Sequence, residues 1–455
     1  MNLKLLFRDR FILGAAALLC LIFITAPVVN ADPGDTTTVY TFIEQNHNFG
    51  SAGREHTETF TFPDGSVDYN QITLEYIMSC PPGGCDPWDR IGHLSVVITH
   101  EDSTEELIEI ARIVTPYNIV GSGGPGTCSW YFDLTDYMPL LKNEVTLRSK
   151  IDTWIGNPYG WECTCTFYFI EGGLSIKPYR VINLWNEGYV VYGDPDRPPE
   201  EVLGTVTVDI DDIAELATLR IVTTGHGQGN TDNAAEFSRK DQSVLVGSTQ
   251  LFEQELWRSD CAQNPCSPQG GTWQYNRAGW CPGQKVIPWD ITSIDLTPGA
   301  PLDIWYFLES YENYCRPTNL DCISGVTCSD CNYNSTGHTE PNYNTTGQLI
   351  LWSSQPYSVS DPVGSVLPNR LTLMQNYPNP FNPSTTIRFA LPVAGNTRLS
   401  VYNITGQEVV LLANGHLTAG AHQLTFDAST LPSGVYFYSL RQGDMTVTKK
   451  MLLMK

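Results

Sequence analysis

Short stretches of alternating apolar and polar residues, separated by turn-forming clusters, fill most of this sequence. Thr57–Phe62 and Leu94–Thr99 are two of them, and the first ends in Pro63-Asp64-Gly65. Alternation with a period of two places every second side chain on one face of a strand. The pattern predicts an all-β chain, in which only Glu105–Arg112 is expected to form a helix.

The length of 455 residues exceeds one compact domain, and the strand-rich text divides into several parts. Lys4, Arg8 and Arg10 precede an apolar run that ends at Val29-Asn30-Ala31, which predicts a secretory signal peptide. The run is also long enough for a retained anchor, but cleavage after Ala31 would leave no integral membrane span in the mature chain. The predicted parts are a signal peptide (1–31), a first β domain (32–173), a second β domain (174–357, with an insertion at 318–347), a linker (358–366) and a small C-terminal β domain (367–455).

Charge is distributed unevenly along the chain. The formal net charge is −23; residues 1–31 carry +2 (three basic, one acidic) and residues 366–455 carry +4 (seven basic, three acidic), so residues 32–365 hold −29. A body this acidic repels phosphate backbones and anionic membrane surfaces. Nucleic acid is therefore not expected as a partner.

Cysteines are numerous in a chain that is predicted to be exported, where pairing is favoured. The spacing suggests local pairs for Cys80 with Cys85 and for Cys163 with Cys165, and a local group from Cys315 to Cys331. Within that group, Cys328-x-x-Cys331 also has the spacing of zinc ligands, but Ser, Thr and Asn surroundings in an oxidising compartment favour disulfides.

The segment that follows Cys80-Pro-Pro-Gly-Gly-Cys85 is the first candidate functional site. Proline fixes φ and glycine accepts angles that other residues avoid, so the enclosed residues predict a tight turn that a disulfide would staple. Trp88, Asp89 and Arg90 come directly after it. The alternative is an ordinary surface turn with a weak exposed ion pair.

Other carboxylates also lie beside aromatic residues or arginines. Asp152 is two residues from Trp154 and is expected on the same face of a strand over Thr146–Trp154. Glu236 precedes Phe237. Arg277 and Trp280 share the segment Arg277-Ala-Gly-Trp-Cys281.

The eight histidines form no His-x-His, His-His or His-Glu-x-x-His pattern, and no serine–histidine–acid or cysteine–histidine arrangement is evident. No metal or other cofactor is expected, which disfavours a copper monooxygenase. Hydrolysis would have to be carboxylate chemistry, with one acid activating water or attacking, another serving the leaving group, and an arginine offsetting charge.

The C-terminal part resembles the sorting domain of type IX secretion cargo. This resemblance implies export across both membranes of a Gram-negative bacterium, then release or attachment to the cell surface, with the type IX machinery as a partner. It is carried by Asn376-Tyr-Pro-Asn-Pro-Phe-Asn-Pro383, Val401-Tyr-Asn-Ile-Thr-Gly-Gln407, Ser433-Gly-Val-Tyr436 and the basic tail Lys449-Lys450…Lys455.

The two preceding parts resemble the peptide-N-glycosidase F family of bacterial amidases, which remove N-glycans from glycoproteins. The family fold is a pair of eight-stranded antiparallel jelly rolls, side by side, with the active site between them. The supporting segments are Cys80…Cys85-Asp-x-Trp-Asp-Arg90, Arg112-Ile-Val-Thr-Pro-Tyr117, Asp133-Leu-Thr-Asp136, Asp152-Thr-Trp154, Gly225-His226, Ala235-Glu236 and Arg277-Ala-Gly-Trp-Cys-Pro-Gly283.

The resemblance implies roles for particular residues. Asp89 would be the essential catalytic acid, Glu236 a second acid and Asp152 a supporting carboxylate. Substrate-site positions fall on Trp88, Arg90, Trp154, Arg277 and Trp280. The resemblance also implies disulfides Cys80–Cys85 and Cys261–Cys281, with Cys266 paired elsewhere, and N-glycosylated proteins or glycopeptides as substrates. The expected fold is thus all-β, with two jelly rolls followed by a small immunoglobulin-like sandwich.

Three departures from the family pattern bear on activity. Asp152 stands where the family has glutamate, one methylene longer, and a positioning error near 1 Å can cost about a hundredfold in rate. Ala234 and Ser238 replace a cysteine pair that brackets the glutamate. Phe237 and Thr224 replace tryptophans, so sugar stacking is expected to be weaker.

Two functions follow from these observations. The first is a secreted amidase that cleaves the bond between the innermost N-acetylglucosamine and asparagine and leaves aspartate in the peptide. The second is a non-catalytic glycan- or protein-binding surface protein of the same fold, which the changed surroundings of Glu236 and the insertion at 318–347 motivate.

Overall fold

A computed structural model describes most of the chain after the predicted signal peptide. It covers residues 34–355 except 248, 324–325, 329–330 and 332–338, and residues 371–373, 376 and 379–455 except 392, 418–419 and 444. The predicted signal peptide (1–31) and linker (358–366) lie outside the described residues. No helix within the described ranges is long and apolar enough to cross a membrane.

The first unit is a sandwich of two antiparallel sheets. One sheet has the order β1-β9-β4-β7, with β2 also on β9, and the other has the order β6-β5-β8-β3. Buried apolar side chains such as Leu74, Leu147 and Phe167 fill the space between them. Its strands are β1 (Thr36–Tyr40), β2 (Gln45–His47), β3 (Glu55–Thr61), β4 (Tyr69–Ser79), β5 (Ile91–Thr99), β6 (Glu105–Val114), β7 (Thr127–Asp133), β8 (Glu144–Ile151) and β9 (Trp161–Glu171).

The second unit repeats this plan with sheets β10-β18-β12-β16 and β11-β17-β13-β14. Short β15 instead extends the first unit by pairing with β6. The core of the second unit contains Leu219, Val244 and Ile304. Its strands are β10 (Lys177–Val191), β11 (Val206–Asp209), β12 (Leu216–His226), β13 (Asp241–Val246), β14 (Gln250–Glu255), β15 (Gln284–Lys285), β16 (Trp289–Ile291), β17 (Pro301–Leu308) and β18 (Asn342–Ser353).

Both units have jelly-roll connectivity. If β2 and β15 are set aside, each unit has eight strands, and its sheets join the first, eighth, third and sixth strands and the second, seventh, fourth and fifth. This order is that of two Greek keys folded into a double sheet. The predicted pair of eight-stranded antiparallel jelly rolls is confirmed.

The C-terminal unit is a small sandwich with sheets β19-β20-β23 and β22-β21-β24-β25. Leu399, Val401 and Tyr438 are among its buried core residues. Its strands are β19 (Thr372–Leu373), β20 (Ser384–Leu391), β21 (Gly395–Tyr402), β22 (Glu408–Leu417), β23 (Gly420–Asp427), β24 (Gly434–Gln442) and β25 (Met445–Leu453).

Two local predictions are wrong. The expected helix over Glu105–Arg112 is strand β6, which pairs with β5 on one side and β15 on the other. Its residues are buried on both faces from Ile108 onward, and such strands read as continuous apolar runs instead of alternating ones. The strand expected to contain Asp152 and Trp154 ends at Ile151, so both residues lie beyond β8.

The two jelly rolls meet through buried polar contacts. Arg112, on β6, donates hydrogen bonds to the carbonyl oxygen of Asn344 and to Oγ1 of Thr346 on β18, each at 2.8 Å, and forms a two-pronged pair with Glu109. Tyr137 donates to Oε1 of Gln348 at 2.7 Å. Such buried charge-assisted bonds fix geometry well, so loops from both units are held in a defined relation.

Candidate active site

The stapled turn predicted at Cys80–Cys85 is present, with its disulfide formed. Gly83 is required there, because a Cβ atom would lie 2.0 Å from the carbonyl oxygen of Pro158. The turn leads into residues 86–90, which the surrounding structure holds in place by side-chain hydrogen bonds.

Asp86 is the anchor of this segment. Its carboxylate is fully buried and accepts hydrogen bonds from the Thr153 hydroxyl at 2.7 Å, from Nε of Arg90 at 2.9 Å and from the backbone N–H of Trp88 at 3.0 Å. Arg90 is thereby turned towards Asp86. Asp86 is not among the site residues predicted from the sequence, although it lies three residues before Asp89. Nothing in the local sequence distinguishes it from an ordinary turn residue.

The residues on either side of Asp89 are tied to Thr115. The Thr115 hydroxyl accepts the backbone N–H of Arg90 at 2.8 Å and donates to the carbonyl oxygen of Trp88 at 2.9 Å. Burial raises the pKa of the Asp89 carboxyl, and the positive charges of Arg277 and Arg90 oppose that rise. The Asp89 carboxyl, in the first unit, therefore interacts electrostatically with Arg277 of the second unit.

Glu236, in the second unit, is the partner acid. Its Oε2 accepts the backbone N–H of Gly227 at 3.1 Å, and its Oε1 accepts Nε–H of Arg277 at 3.3 Å. Burial raises the pKa of Glu236 to about 7; the charge of Arg277 opposes this rise and that of Asp89 adds to it. Asp89, Glu236 and Arg277 thus form one electrostatically coupled set that spans both jelly rolls.

Arg277 is the fixed centre of this set, with an exposed fraction of 1%. Nη1 donates to the carbonyl oxygens of Thr272 and Tyr275, and Nη2 donates to Oγ1 of Thr272. Its guanidinium carbon lies 4.9 Å from the ring centre of Phe237 and 4.8 Å from that of Trp280. Cation–π contacts of this kind add to the fixed orientation.

Trp280 supports Arg277 from inside the protein. It is buried, donates its indole N–H to the carbonyl oxygen of Gly225 at 2.6 Å, and stacks on His226 with ring centres 5.1 Å apart. The exposed tryptophans among the predicted site residues are instead Trp88 (51% exposed) and Trp154 (60% exposed).

The loop that carries Glu236 is held without the bracketing cysteines. The Asn230 side chain, itself buried, bonds to the backbone of Ala234 in both directions, accepting its N–H at 2.7 Å and donating to its carbonyl oxygen at 3.2 Å. The Tyr311 hydroxyl lies 3.0 Å from Oδ1 of Asn230 and 2.6 Å from the carbonyl oxygen of Thr231. We call these contacts the Asn230–Tyr311 clamp. It does by hydrogen bonding what a disulfide does in the family pattern.

The backbone just before Glu236 is strained. Ala235 has φ of +69° and is completely buried. The carbonyl oxygen of Ala235 packs closely against Gly225. A Cβ atom at residue 225 would lie 1.6 Å from that oxygen. Left-handed backbone at a non-glycine residue is costly and concentrates at functional sites.

Asp152 and Trp154 adjoin the Asp89 turn within the first unit. The backbone N–H of Asp152 donates to the carbonyl oxygen of Ile91 at 3.0 Å, and its Oδ1 lies 2.9 Å from Nζ of Lys150. The ring of Trp154 lies 4.2 Å beneath the guanidinium of Arg54 and 5.4 Å from the ring of Phe49. These residues form an exposed aromatic surface beside the acids.

The disulfides agree in part with the sequence analysis. Cys261–Cys281 forms, and Cys266 pairs with Cys128 of the first unit. The local group from Cys315 to Cys331 forms the favoured disulfides, Cys315–Cys331 and Cys322–Cys328.

The expected Cys163–Cys165 pair is wrong, since both thiols are free and buried. They lie two residues apart on strand β9. Two extended residues span roughly 6.6 Å, at the limit of the Cα separation that a disulfide tolerates.

The fold is that of a double jelly-roll protein with a third, C-terminal sandwich, and a buried Glu236–Arg277 pair marks its candidate site. Residues 196–307 match the family model described as Peptide-N-glycosidase F, C terminal, and residues 375–454 match the secretion system C-terminal sorting domain. The second unit therefore resembles the C-terminal part of peptide-N-glycosidase F, and the C-terminal unit carries a sorting domain of the type IX secretion system.

Relatives agree with this placement. The peptide-N(4)-(N-acetyl-beta-D-glucosaminyl)asparagine amidase F of Elizabethkingia miricola is 28% identical over 309 residues, which cover 66% of this chain and 84% of that protein. The crystal structure of PNGase F from Flavobacterium meningosepticum, described as a glycosylasparaginase, matches with a TM-score of 0.59 and 23% identity over 71% of this chain and 98% of the other. PNGF-II matches with a TM-score of 0.53 and 16% identity over 72% of this chain and 66% of its own. The two structures show the shared fold.

Proposed function

We propose that this chain is a secreted peptide-N-glycosidase that hydrolyses the amide between the innermost N-acetylglucosamine of an N-glycan and asparagine. Water adds to the amide carbonyl carbon, the carbon–nitrogen bond breaks, and the products are aspartate in the peptide and a glycosylamine. The observation that supports the proposal most is the coupling of Asp89 and Glu236, from different jelly rolls, around Arg277.

The proposed roles follow from the surroundings of each group. Asp89 is the primary catalytic group, because the turn that carries it is fixed by Asp86 and Thr115. Glu236 acts through water, and with a pKa of about 7 it can both hold and release a proton near neutral pH. The fixed charge of Arg277 balances negative charge that develops on the substrate.

Release of glycans from a denatured N-glycoprotein tests the proposal. The wild type is expected to release the glycan and convert asparagine to aspartate, which mass spectrometry of the peptide detects. Asp89→Ala is expected to lose both signals while retaining the wild-type melting temperature. Free sugar without conversion of asparagine would indicate a glycosidase and contradict the proposal.

A binding protein without turnover is the second candidate, and the Asp152–Lys150 pair favours it. Lys150 partly neutralises the supporting carboxylate, which is also one methylene shorter than in the family pattern. Retention of glycoprotein by the wild type without any release would support this candidate over the amidase.

A further inference from the structure

The outward face of the β1-β9-β4-β7 sheet carries an ordered row of side chains. The strand registers place Tyr40 opposite Thr166, Thr166 opposite Glu75, and Glu75 opposite Tyr131. Each strand contributes one residue, so the row crosses the whole sheet at right angles to the strands. Tyr168 lies in the adjoining row on β9.

Glu75 fixes two tyrosines on this face. Its Oε1 accepts the Tyr131 hydroxyl at 2.7 Å and its Oε2 accepts the Tyr168 hydroxyl at 2.8 Å. Because both strands flank β4, each ring must lean across the sheet towards Glu75. The rings therefore lie along the surface in a fixed orientation, and little side-chain entropy would be lost when a ligand covers them.

The outer tyrosines of the row are open to solvent. Tyr40 is 66% exposed and Tyr131 is 54% exposed. Three interstrand spacings separate them, which corresponds to about 14 Å. This span suits a short chain of sugar rings better than a single ring.

The charge of the face selects the kind of ligand. Strands β1, β4, β7 and β9 contain Glu75, Asp133, Glu162 and Glu171 but no lysine or arginine. Glu75, Asp133 and Glu162 share the outward register, whereas Glu171 is buried. Lys285 donates to the carbonyl oxygen of Tyr131 at the β7 edge, but the face remains net acidic and disfavours phosphate, sulfate and sialic acid. Aromatic rings with an apolar body and a polar tip, next to a carboxylate and threonine hydroxyls, suit a ligand with apolar ring faces and many hydroxyl groups.

We propose that this tyrosine face binds neutral oligosaccharides that run across the four strands. Sugar rings would stack on Tyr40 and Tyr131, and their hydroxyls would bond to Glu75 and the neighbouring threonines. The face lies on strands of the first jelly roll, whereas Asp89, Glu236 and Arg277 lie in loops. The inference therefore does not rest on the amidase proposal.

Isothermal titration calorimetry of the full chain tests the inference with free chitotetraose, mannotetraose and high-mannose oligosaccharide, which contain no amide between a sugar and asparagine. The wild type is expected to bind at least one of them saturably, and a sialylated oligosaccharide more weakly. Tyr131→Ala and Tyr40→Ala are each expected to weaken binding about tenfold, the size of one aromatic contact. Tyr189→Ala is the matched control, because Tyr189 is 57% exposed but lies on β10.

Three results would overturn the inference. The first is that no oligosaccharide binds saturably, and the second is that Tyr40→Ala and Tyr131→Ala bind as tightly as the wild type. The third is that Asp89→Asn loses binding instead, which would place the sugar in the catalytic site. Melting temperatures exclude misfolding, and an unchanged rate of glycan release from a short glycopeptide in Tyr131→Ala would separate this face from the amidase site.

Discussion

Arg277 donates Nε–H to Oε1 of Glu236 across 3.3 Å, and both side chains are largely withdrawn from water. Three of the four remaining N–H donors of the guanidinium bond to Thr272 and Tyr275. The orientation of the Arg277 guanidinium next to Glu236 is therefore fixed. Burial nevertheless raises the pKa of Glu236 by more than the charge of Arg277 lowers it.

The pH dependence of stability follows from this pKa. Glu236 has a pKa near 4.5 when unfolded and about 7 when folded. Its ionisation in the folded state is therefore disfavoured, and the free energy of unfolding falls as pH rises from about 4.5 to 7. Glu236→Gln removes this loss, so the variant is expected to melt higher than the wild type at pH 8 and similarly at pH 4, while glycan release is abolished. A lower melting temperature of the variant at pH 8 would contradict the raised pKa.

Arg277→Lys is expected to reduce glycan release by about a hundredfold or more. Lysine keeps the charge but cannot donate to Glu236, Thr272 and Tyr275 at once. Arg277→Met removes the hydrogen bonds to Glu236, Thr272 and Tyr275 and leaves buried acceptors unsatisfied, so it should also lower the free energy of unfolding by about 1–3 kcal/mol. Chemical denaturation measures the second effect. Arg239→Met, at an exposed ion pair with Glu255, is the control and should change stability little.

Tyr311→Phe tests the Asn230–Tyr311 clamp. The variant loses the single hydroxyl hydrogen that lies between Oδ1 of Asn230 and the carbonyl oxygen of Thr231, at a cost of about 1 kcal/mol in stability. We expect a larger proportional fall in kcat than in stability, with KM nearly unchanged, because the loop that positions Glu236 loosens. The limb of the pH–rate profile near pH 7 should shift. Tyr314→Phe, at a 55% exposed position, should leave all three quantities unchanged.

Asp152→Glu should raise the rate of glycan release, by as much as about tenfold, because it restores the side-chain length of the family pattern. Asp152→Asn removes the charge at constant length and should lower the rate. Steady-state kinetics on a glycopeptide separates the two. Equal rates in all three proteins would mean that this carboxylate takes no part in catalysis.

The sequence predicts Asp89, Glu236 and Arg277 as site residues because they lie in short strings that resemble the peptide-N-glycosidase F family. The structure pairs Glu236 with Arg277, and the roles of all three residues stay predictions. Asp86 was missed because its role depends on Thr153, which lies 67 positions further along the chain. Side-chain burial of this kind is set by tertiary packing and leaves no mark in the local sequence.

The fold, too, was predictable where local sequence patterns determine it and not where tertiary burial does. Alternating residues predicted the strands, and the resemblance to the peptide-N-glycosidase F family predicted the two jelly rolls. Strand β6 was missed because it is covered on both faces and its spacing of apolar residues also fits a helix. The resemblance places Trp280 at a substrate-site position, but an indole beside an arginine in the sequence can either face solvent or, as here, support the arginine from within. Only the three-dimensional position distinguishes the two.

The Cys128–Cys266 disulfide joins the two jelly rolls across 138 positions. A protease that cut the short connection between β9 and β10 would therefore leave two fragments that remain covalently attached. Cleavage of the connection between the halves would therefore not separate them, which suits a protein that is exported from the cell.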